Sequence, residues 1–418
     1  MANNHHKFSF AMVVLLGLLA GLQMWLVDRR PEAKWETSKK ELVVTSSADA
    51  GPGSLREAIF EADSIGERVR IRIQSPRIDL QSSLPPLVNP LGVIIEGDNI
   101  QPEIDAGEMK SGSVFDIGSP NSFVTGLTIT NAPEQALLVR ADGLRVAQVT
   151  ISHSEIGLYV ADNVNSVLVE NTSFSTNRVG VWVSPKGHGI VLQNNRFASH
   201  QDAAIWAVDA PGNRDLRPER VELRGNRFED DRLSAVIGNV PVAIEDNEFV
   251  QAHEAAIYLV GEGSIVRNNR IRNGRGVGIF ADTAHGVVIE GNELDHNRSL
   301  AVLVRSTGNA RVEHNRVYEN GYGIAFVLGE HQRPSTAVEN SLLSQQYDGM
   351  VLIGDSSIIK GNRLVANRVA GLRILDYFPL QGAEVPSNPF LASNTLSGNK
   401  LNEPAHGEYR ARKQEPEK

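Results

Sequence analysis

The sequence predicts an all-β chain wound into a right-handed parallel β-helix, a solenoid of roughly 12 coils with an N-terminal capping helix, and three observations carry that prediction. First, a short pattern (aliphatic, polar, any residue, Asn, polar, apolar) recurs as LQNNRF, LRGNRF, IEDNEF, VRNNRI, IEGNEL, VEHNRV, VENSLL and IKGNRL. Its asparagines are Asn195, Asn226, Asn247, Asn269, Asn292, Asn315, Asn340 and Asn362, with Asn394 a further copy, and Thr172, Val149 and Leu127 hold the same place earlier in the chain. Second, eight or nine residues after each anchor an apolar stripe opens on a small residue, as in GVWV, AIWAV, GIFA and GMVLI. Third, apolar residues alternate within both segments, the period of a half-buried strand and not of a helix. A single repeat cannot bury its own apolar face, so equivalent strands must stack in register and in parallel, about 4.8 Å apart. Leucine-rich repeats share the period but need placed leucines and a convex segment that this chain lacks.

Each part of the chain follows from local pattern. Residues 8–27 read FSFAMVVLLGLLAGLQMWLV, uncharged and long enough to cross a bilayer. With no well-placed small-residue cleavage site, residues 1–35 are expected to be an uncleaved signal anchor with its flank, tying the chain to an inner membrane. Lys7 alone precedes the segment while Arg29, Arg30, Lys34, Lys39 and Lys40 follow it, which taken alone would keep the large domain inside. Residues 36–115 hold the cap and first coils: Gly-Pro-Gly, then Ser54 with Glu57 three residues on, a capping box, then Leu55, Ile59 and Ala62 at helical spacing predict a helix over 54–65. Strands at 69–73 and 92–97 open the coil, and the repeats fill 116–400. Long Pro- and Gly-rich insertions at 208–220 and 376–390, with a smaller one at 328–336, leave one corner after the second stripe and are placed to form one lip of a groove. The charged residues 401–418 are expected to be a disordered tail.

The anchor asparagines are expected to form a ladder whose amides satisfy turn backbone groups. Arg227, Glu248, Arg270, Glu293 and Arg316 just after them, and Arg224, Glu245, Arg267 and Glu290 two places before, alternate in sign as cross-strand ion pairs. The balance of 41 Lys+Arg against 50 Asp+Glu, a net charge of −9, excludes a basic nucleic-acid binder. The absence of cysteine excludes a disulfide framework, a thiolate nucleophile and a Cys-based zinc site.

Equal offsets stack, so register converts to columns. The turn four to eight residues after each anchor gathers His200/Asp202, Asp230/Asp231/Arg232, His253/Glu254, Arg275, His296/Asn297/Arg298, Glu319/Asn320/Tyr322 and Tyr347/Asp348, with Asp295 and Tyr318 beside it. Solvated turns also gather polar residues, and Asn177, Asn297, Asn320 and Asn367 read as turn formers.

The N-x-[FIL] and G-I-x-[LV] repeat resembles the right-handed parallel β-helix superfamily of pectate lyases, alginate lyases and mannuronan C-5-epimerases. The GPGSLREAI opening is similar to the cap of many exported bacterial β-helix proteins. The resemblance covers residues 42–400 and implies export to the periplasm and action on, or binding of, an acidic polysaccharide in exopolysaccharide or envelope metabolism. The Asp-Pro-His-Asp run of alginate epimerases and the clustered aspartates of calcium-dependent pectate lyases are absent, so no cofactor, calcium included, is indicated. In a lyase or epimerase, Arg275 and Arg298 are placed to neutralise a uronate carboxylate, His253 or His296 to take the C5 proton, and Tyr322 to return a proton or protonate the leaving oxygen. Asp230, Asp231 and Glu254 would instead support hydrolysis by an acid and a base. A binding or structural module without chemistry is the alternative. Trp182, Trp206, Tyr159 and Tyr258 recur in the second stripe, where an outward ring can stack on a sugar.

Overall fold

The computed structural model describes residues 38, 40–184, 186–208, 221–238, 240–329, 332–379 and 383–410. Within them the chain turns as a solenoid of three parallel sheets of 15, 14 and 13 strands, each turn adding one strand to each sheet. A representative turn runs from Val242–Glu245 in the first sheet through Glu248–Val250 in the second to Ala255–Val260 in the third. It then pairs in register with the next, Glu245 opposite Arg267, Phe249 opposite Ile271 and Tyr258 opposite Phe280.

The asparagine motif is the corner between the first and second sheets. The residue before each asparagine takes a left-handed backbone, as Asp246 (φ 56°) and Gly291 (φ 65°) do, which turns the chain sharply and points the asparagine inward. Nine asparagines from Asn195 to Asn394 then form the expected ladder: each Oδ1 accepts from the backbone N–H one turn earlier, and each Nδ2 reaches a carbonyl of an earlier turn. The third strands open on a small residue because the rungs touch there. A Cβ on Gly278 would lie 2.5 Å from the Ala301 carbonyl oxygen and 2.9 Å from Leu294. Inside, Phe174, Phe197, Phe228 and Phe249 stack nearly parallel, 4.6–5.0 Å apart. The alternating charges pair outside as expected, Arg267 with Glu290 at 3.1 Å and Arg224 with Glu245 at 3.4 Å.

Helix α1 (Leu55–Ser64) closes the N-terminal end, burying Leu55, Ala58, Ile59 and Ala62. Ser54 caps it as expected, the Glu57 N–H donating to Ser54 Oγ at 3.2 Å, while the Glu57 carboxylate reaches back one residue further and accepts from the Gly53 N–H at 2.6 Å. Two expectations are corrected. The coil begins one strand earlier, at Lys40–Val44, which pairs along its whole length with Val69–Ile73 and sits on the other side of α1 in sequence. Ala405–Arg410, expected within the tail, is the last strand of the third sheet, because its backbone pairs with Arg373–Phe378 and Tyr409 stacks on Tyr377. The apolar segment 8–27, residues 209–220 of the first insertion and residues 411–418 lie outside the described residues. Among those described, no helix is long and apolar enough to cross a membrane.

Candidate functional site

The predicted column is the corner between the second and third sheets, and the local backbone sorts its residues into three sets. One residue per turn is left-handed (Asp230, φ 58°; His296, φ 56°; Glu319, φ 57°), the next points inward, and the one after points out. The inward set is a second ladder that includes Asn297, Asn320, Gln345, Asn367 and Asn399, each accepting from the backbone N–H one turn earlier. Asp231 and His200 occupy this inward offset, and their side chains are fully buried. Asp231 Oδ1 accepts from the His200 backbone N–H at 3.0 Å and lies 2.7 Å from His200 Nδ1, while Asp231 Oδ2 and His200 Nε2 have no partner among the described residues. Asp231 therefore does not reach the surface, which removes it from any groove and dissolves the expected Asp230/Asp231 carboxylate pair.

The outward set is a line of side chains on successive rungs. His253 N–H donates to Asp231 O, Arg275 N–H to Ala252 O and Arg298 N–H to Gly274 O, at 2.8–3.0 Å. Arg232, His253, Arg275 and Arg298 thus follow one another along the axis, each step about 4.8 Å. Arg232 is held by Glu254 at 2.8 Å and faces Asp202 at 3.7 Å. Glu254 is occupied as that partner. Arg275 and Arg298 are exposed and, among the described residues, have no carboxylate partner. Asp230 Oδ1 lies 2.8 Å from His253 Nε2, both side chains at the surface. A carboxylate only accepts, so in the neutral imidazole this contact favours the ring proton on Nε2 and leaves Nδ1 as the acceptor.

His296 and Tyr322 belong to two other groupings on the same corner. His296 Nδ1 lies 2.7 Å from Asp295 Oδ1 and Nε2 2.7 Å from Glu319 Oε2, so neither nitrogen is free to take a substrate proton. Asp295 is buried beneath Tyr318, whose hydroxyl donates to Glu293 at 2.9 Å and Asp295 at 3.2 Å. Burial, then the Glu293 hydrogen bond and the Asp295 charge, push the Tyr318 phenol up to about 12. A spectrophotometric tyrosine titration should show Tyr318 ionising about two pH units after a free phenol. An acid with a raised folded pKa contributes stability that is complete below pH 10 and falls as pH climbs toward 12. Tyr318→Phe should remove that part of the alkaline loss, and an unchanged profile would contradict the assignment.

Tyr322 starts a third-sheet strand and stacks on Tyr347, rings 4.7 Å apart and 22° from parallel. It stands three rungs beyond His253, roughly 14 Å along the axis, too far to serve the same C5 atom. Burial, followed by the buried Asp348 carboxylate, raises its phenol, which weakens it as an acid near neutrality. Asp348 is itself engaged by Arg373 at 2.7 and 2.9 Å. The part that Asp295, Tyr318, Glu293 and Glu319 play around His296 was not assigned from sequence. The signal was available, since the first and third residues of each three-residue second-sheet strand point outward. Among the described residues no group of three or more His, Asp or Glu is placed to hold a metal ion.

A family profile described as a right handed beta helix region matches residues 117–264 and 216–369. Among solved structures, the catalytic unit of a GH87 α-1,3-glucanase from Streptomyces thermodiastaticus aligns with a TM-score of 0.56 and 13% identity, over 89% of this chain and 71% of that one. A double mutant of the tailspike protein of E. coli bacteriophage HK620, in complex with a pentasaccharide, aligns with a TM-score of 0.54 and 12% identity, over 84% and 78%. The A-module of the Azotobacter vinelandii mannuronan C-5 epimerase AlgE6 aligns with a TM-score of 0.50 and 13% identity, over 90% and 100%. At these identities the likeness is one of fold. No curated protein sequence matches the chain.

Proposed function

The chain belongs to the right-handed β-helix family, and on that premise we propose that it acts on an acidic polysaccharide, cleaving a uronate polymer by β-elimination at the corner between the second and third sheets. The observation that carries this reading is the line His253, Arg275, Arg298. It places two exposed guanidinium groups, without a carboxylate partner among the described residues, beside a histidine whose ring is oriented by Asp230, on the surface of a protein that is otherwise net acidic. A rung advance is comparable to one sugar residue, so the line matches a chain laid along the axis. The carboxylate of one uronate residue sits on the guanidinium groups, which lowers the cost of charge at C5. His253 Nδ1 takes the C5 proton, the C–H electrons form the C4=C5 double bond, and the C4–O bond breaks. The same imidazolium then protonates the departing oxygen, so one residue serves both steps. That economy favours elimination over epimerisation, which needs a second acid on the opposite face, a place Tyr322 does not reach. The solved β-helix neighbours, which include a glucanase, an epimerase and a tailspike in complex with a pentasaccharide, support a saccharide as substrate.

Affinity for polygalacturonate or alginate should fall about tenfold or more in Arg275→Ala/Arg298→Ala, with loss of most of its salt dependence. Unchanged affinity and salt response would remove the strip from the binding site. We further propose that residues 8–27 anchor the chain in the inner membrane with the solenoid on the periplasmic side. A C-terminal fusion to alkaline phosphatase should then be active, and an inactive fusion would reverse the topology.

A further inference from the structure

The outward face of the third sheet carries a column that this chemistry does not use. Register places Tyr159, Trp182, Trp206, Val236, Tyr258 and Phe280 one above another on consecutive turns. Their chain neighbours point inward to the core, so the rings stand outside on the sheet, and the five aromatic ones are half-buried. At the N-terminal end of the column a cavity of about 890 Å³ is lined by Tyr159, Trp182 and Leu138, with Asp116, Glu134 and Asp162 at its polar rim.

We propose that this face is a second glycan-binding site, distinct from the arginine strip, that takes uncharged pyranose residues. Three observations select that ligand. The first is ring geometry. The internal phenylalanines lie within 4–8° of parallel and cover one another's faces, whereas Tyr159 and Trp182 meet at 61° and Trp182 and Trp206 at 45°, both 6.0 Å apart. Rings so inclined leave π-faces open to the groove, and the apolar C–H face of a pyranose is a fitting partner. The second is charge. The rim carboxylates outnumber the cations, Arg140 is committed to Asp116 at 2.8 Å, and Lys186 faces Asp162 at 3.9 Å. A uronate would meet a net negative rim here, so the polyanion that suits Arg275 and Arg298 is disfavoured. The third is the chemistry of the rim, where carboxylates, Gln135 and the hydroxyls of Ser83 and Ser113 are acceptors and donors at the scale of sugar hydroxyls. From Tyr159 to Phe280 the column climbs five rungs, about 24 Å, so a glycan lying on it would reach the rung of Arg275. A polymer with both neutral and acidic residues would engage both surfaces at once.

The test uses the full chain with Trp25→Phe and Trp35→Phe, which leaves Trp182 and Trp206 as the only indoles of the four tryptophans. Emission is followed while neutral hexasaccharides of β-1,3-, β-1,4-, α-1,3- and α-1,4-linked glucose and β-1,4-linked mannose are added, with polygalacturonate as the acidic probe. The expected result is a saturable shift with at least one neutral glycan that survives Arg275→Ala/Arg298→Ala and is weakened about tenfold or more by Trp182→Ala, with partial rescue by Trp182→Phe. Tyr159→Ala, which removes a ring but neither indole, should weaken the same titration and guards against a folding defect at Trp182. If no neutral glycan shifts the emission, or if polygalacturonate alone does and the arginine variant abolishes that shift, the proposal is overturned.

Discussion

Replacing Asn269 by alanine is expected to lower the unfolding free energy by about 3–5 kcal/mol. Asn269 is 1% exposed and its amide is used at every position. Oδ1 accepts from the backbone N–H and from Nδ2 of Asn247, both at 3.0 Å, and Nδ2 donates to Ile244 O at 2.8 Å, Arg267 O at 3.0 Å and Asn292 Oδ1 at 3.0 Å. Alanine leaves a buried N–H and a buried carbonyl without partners, and each orphaned group costs about 1–3 kcal/mol. Because each turn is stabilised only by its neighbours, the damage spreads to both. Urea denaturation followed by circular dichroism reads it directly. A loss below about 1 kcal/mol would show that the ladder is incidental to stability. Thr172 shows the weaker natural substitute: its backbone N–H still donates to Asn195 Oδ1 at 3.0 Å, but its hydroxyl reaches the Val149 N–H only at 3.5 Å.

His253→Ala is expected to reduce turnover of a uronate polymer by about 10²–10⁴-fold while leaving affinity nearly unchanged, because binding rests on Arg275 and Arg298 and proton transfer on the imidazole. The side chain is 37% exposed, so its removal should leave the unfolding midpoint where it was. Asp230→Ala should give a smaller loss of turnover, since it removes the acceptor that orients the His253 ring but not the base. His296→Ala is the informative contrast. With both of its nitrogens turned to carboxylates it should retain activity, and a variant series in which His296→Ala is dead and His253→Ala is active would transfer the chemistry to the Asp295–Tyr318–Glu319 grouping.

The fold was legible in the sequence because one constraint repeats along it. Inward asparagines, small residues where rungs touch, and alternating apolar residues recur at nearly constant spacing, and each has a single physical reason that the stacked turns supply. The site was legible as a corner but not as a set of partners. Offset counting put Asp231 and His200 in the same turn as Arg232 and His253 without saying which way each points. A left-handed residue in each turn decides that, and it admits Asp, His and Glu as readily as Asn. The outward rings of Tyr159, Trp182 and Trp206 were legible in principle, since each sits between two inward aliphatic or small residues of its strand. Rung order was legible for His253, His296 and Tyr322, but not that they occupy different positions of the turn, His253 the outward one, His296 the left-handed one and Tyr322 the start of the next strand.

The most direct measurement is proton NMR of polygalacturonate and alginate incubated with the chain in heavy water. Unsaturated chain ends with an H4 resonance that grows with time are expected, with no growth for His253→Ala. Deuterium at C5 without chain cleavage would make the protein an epimerase. New reducing ends without unsaturation, or no change in either polymer, would contradict proton abstraction at His253.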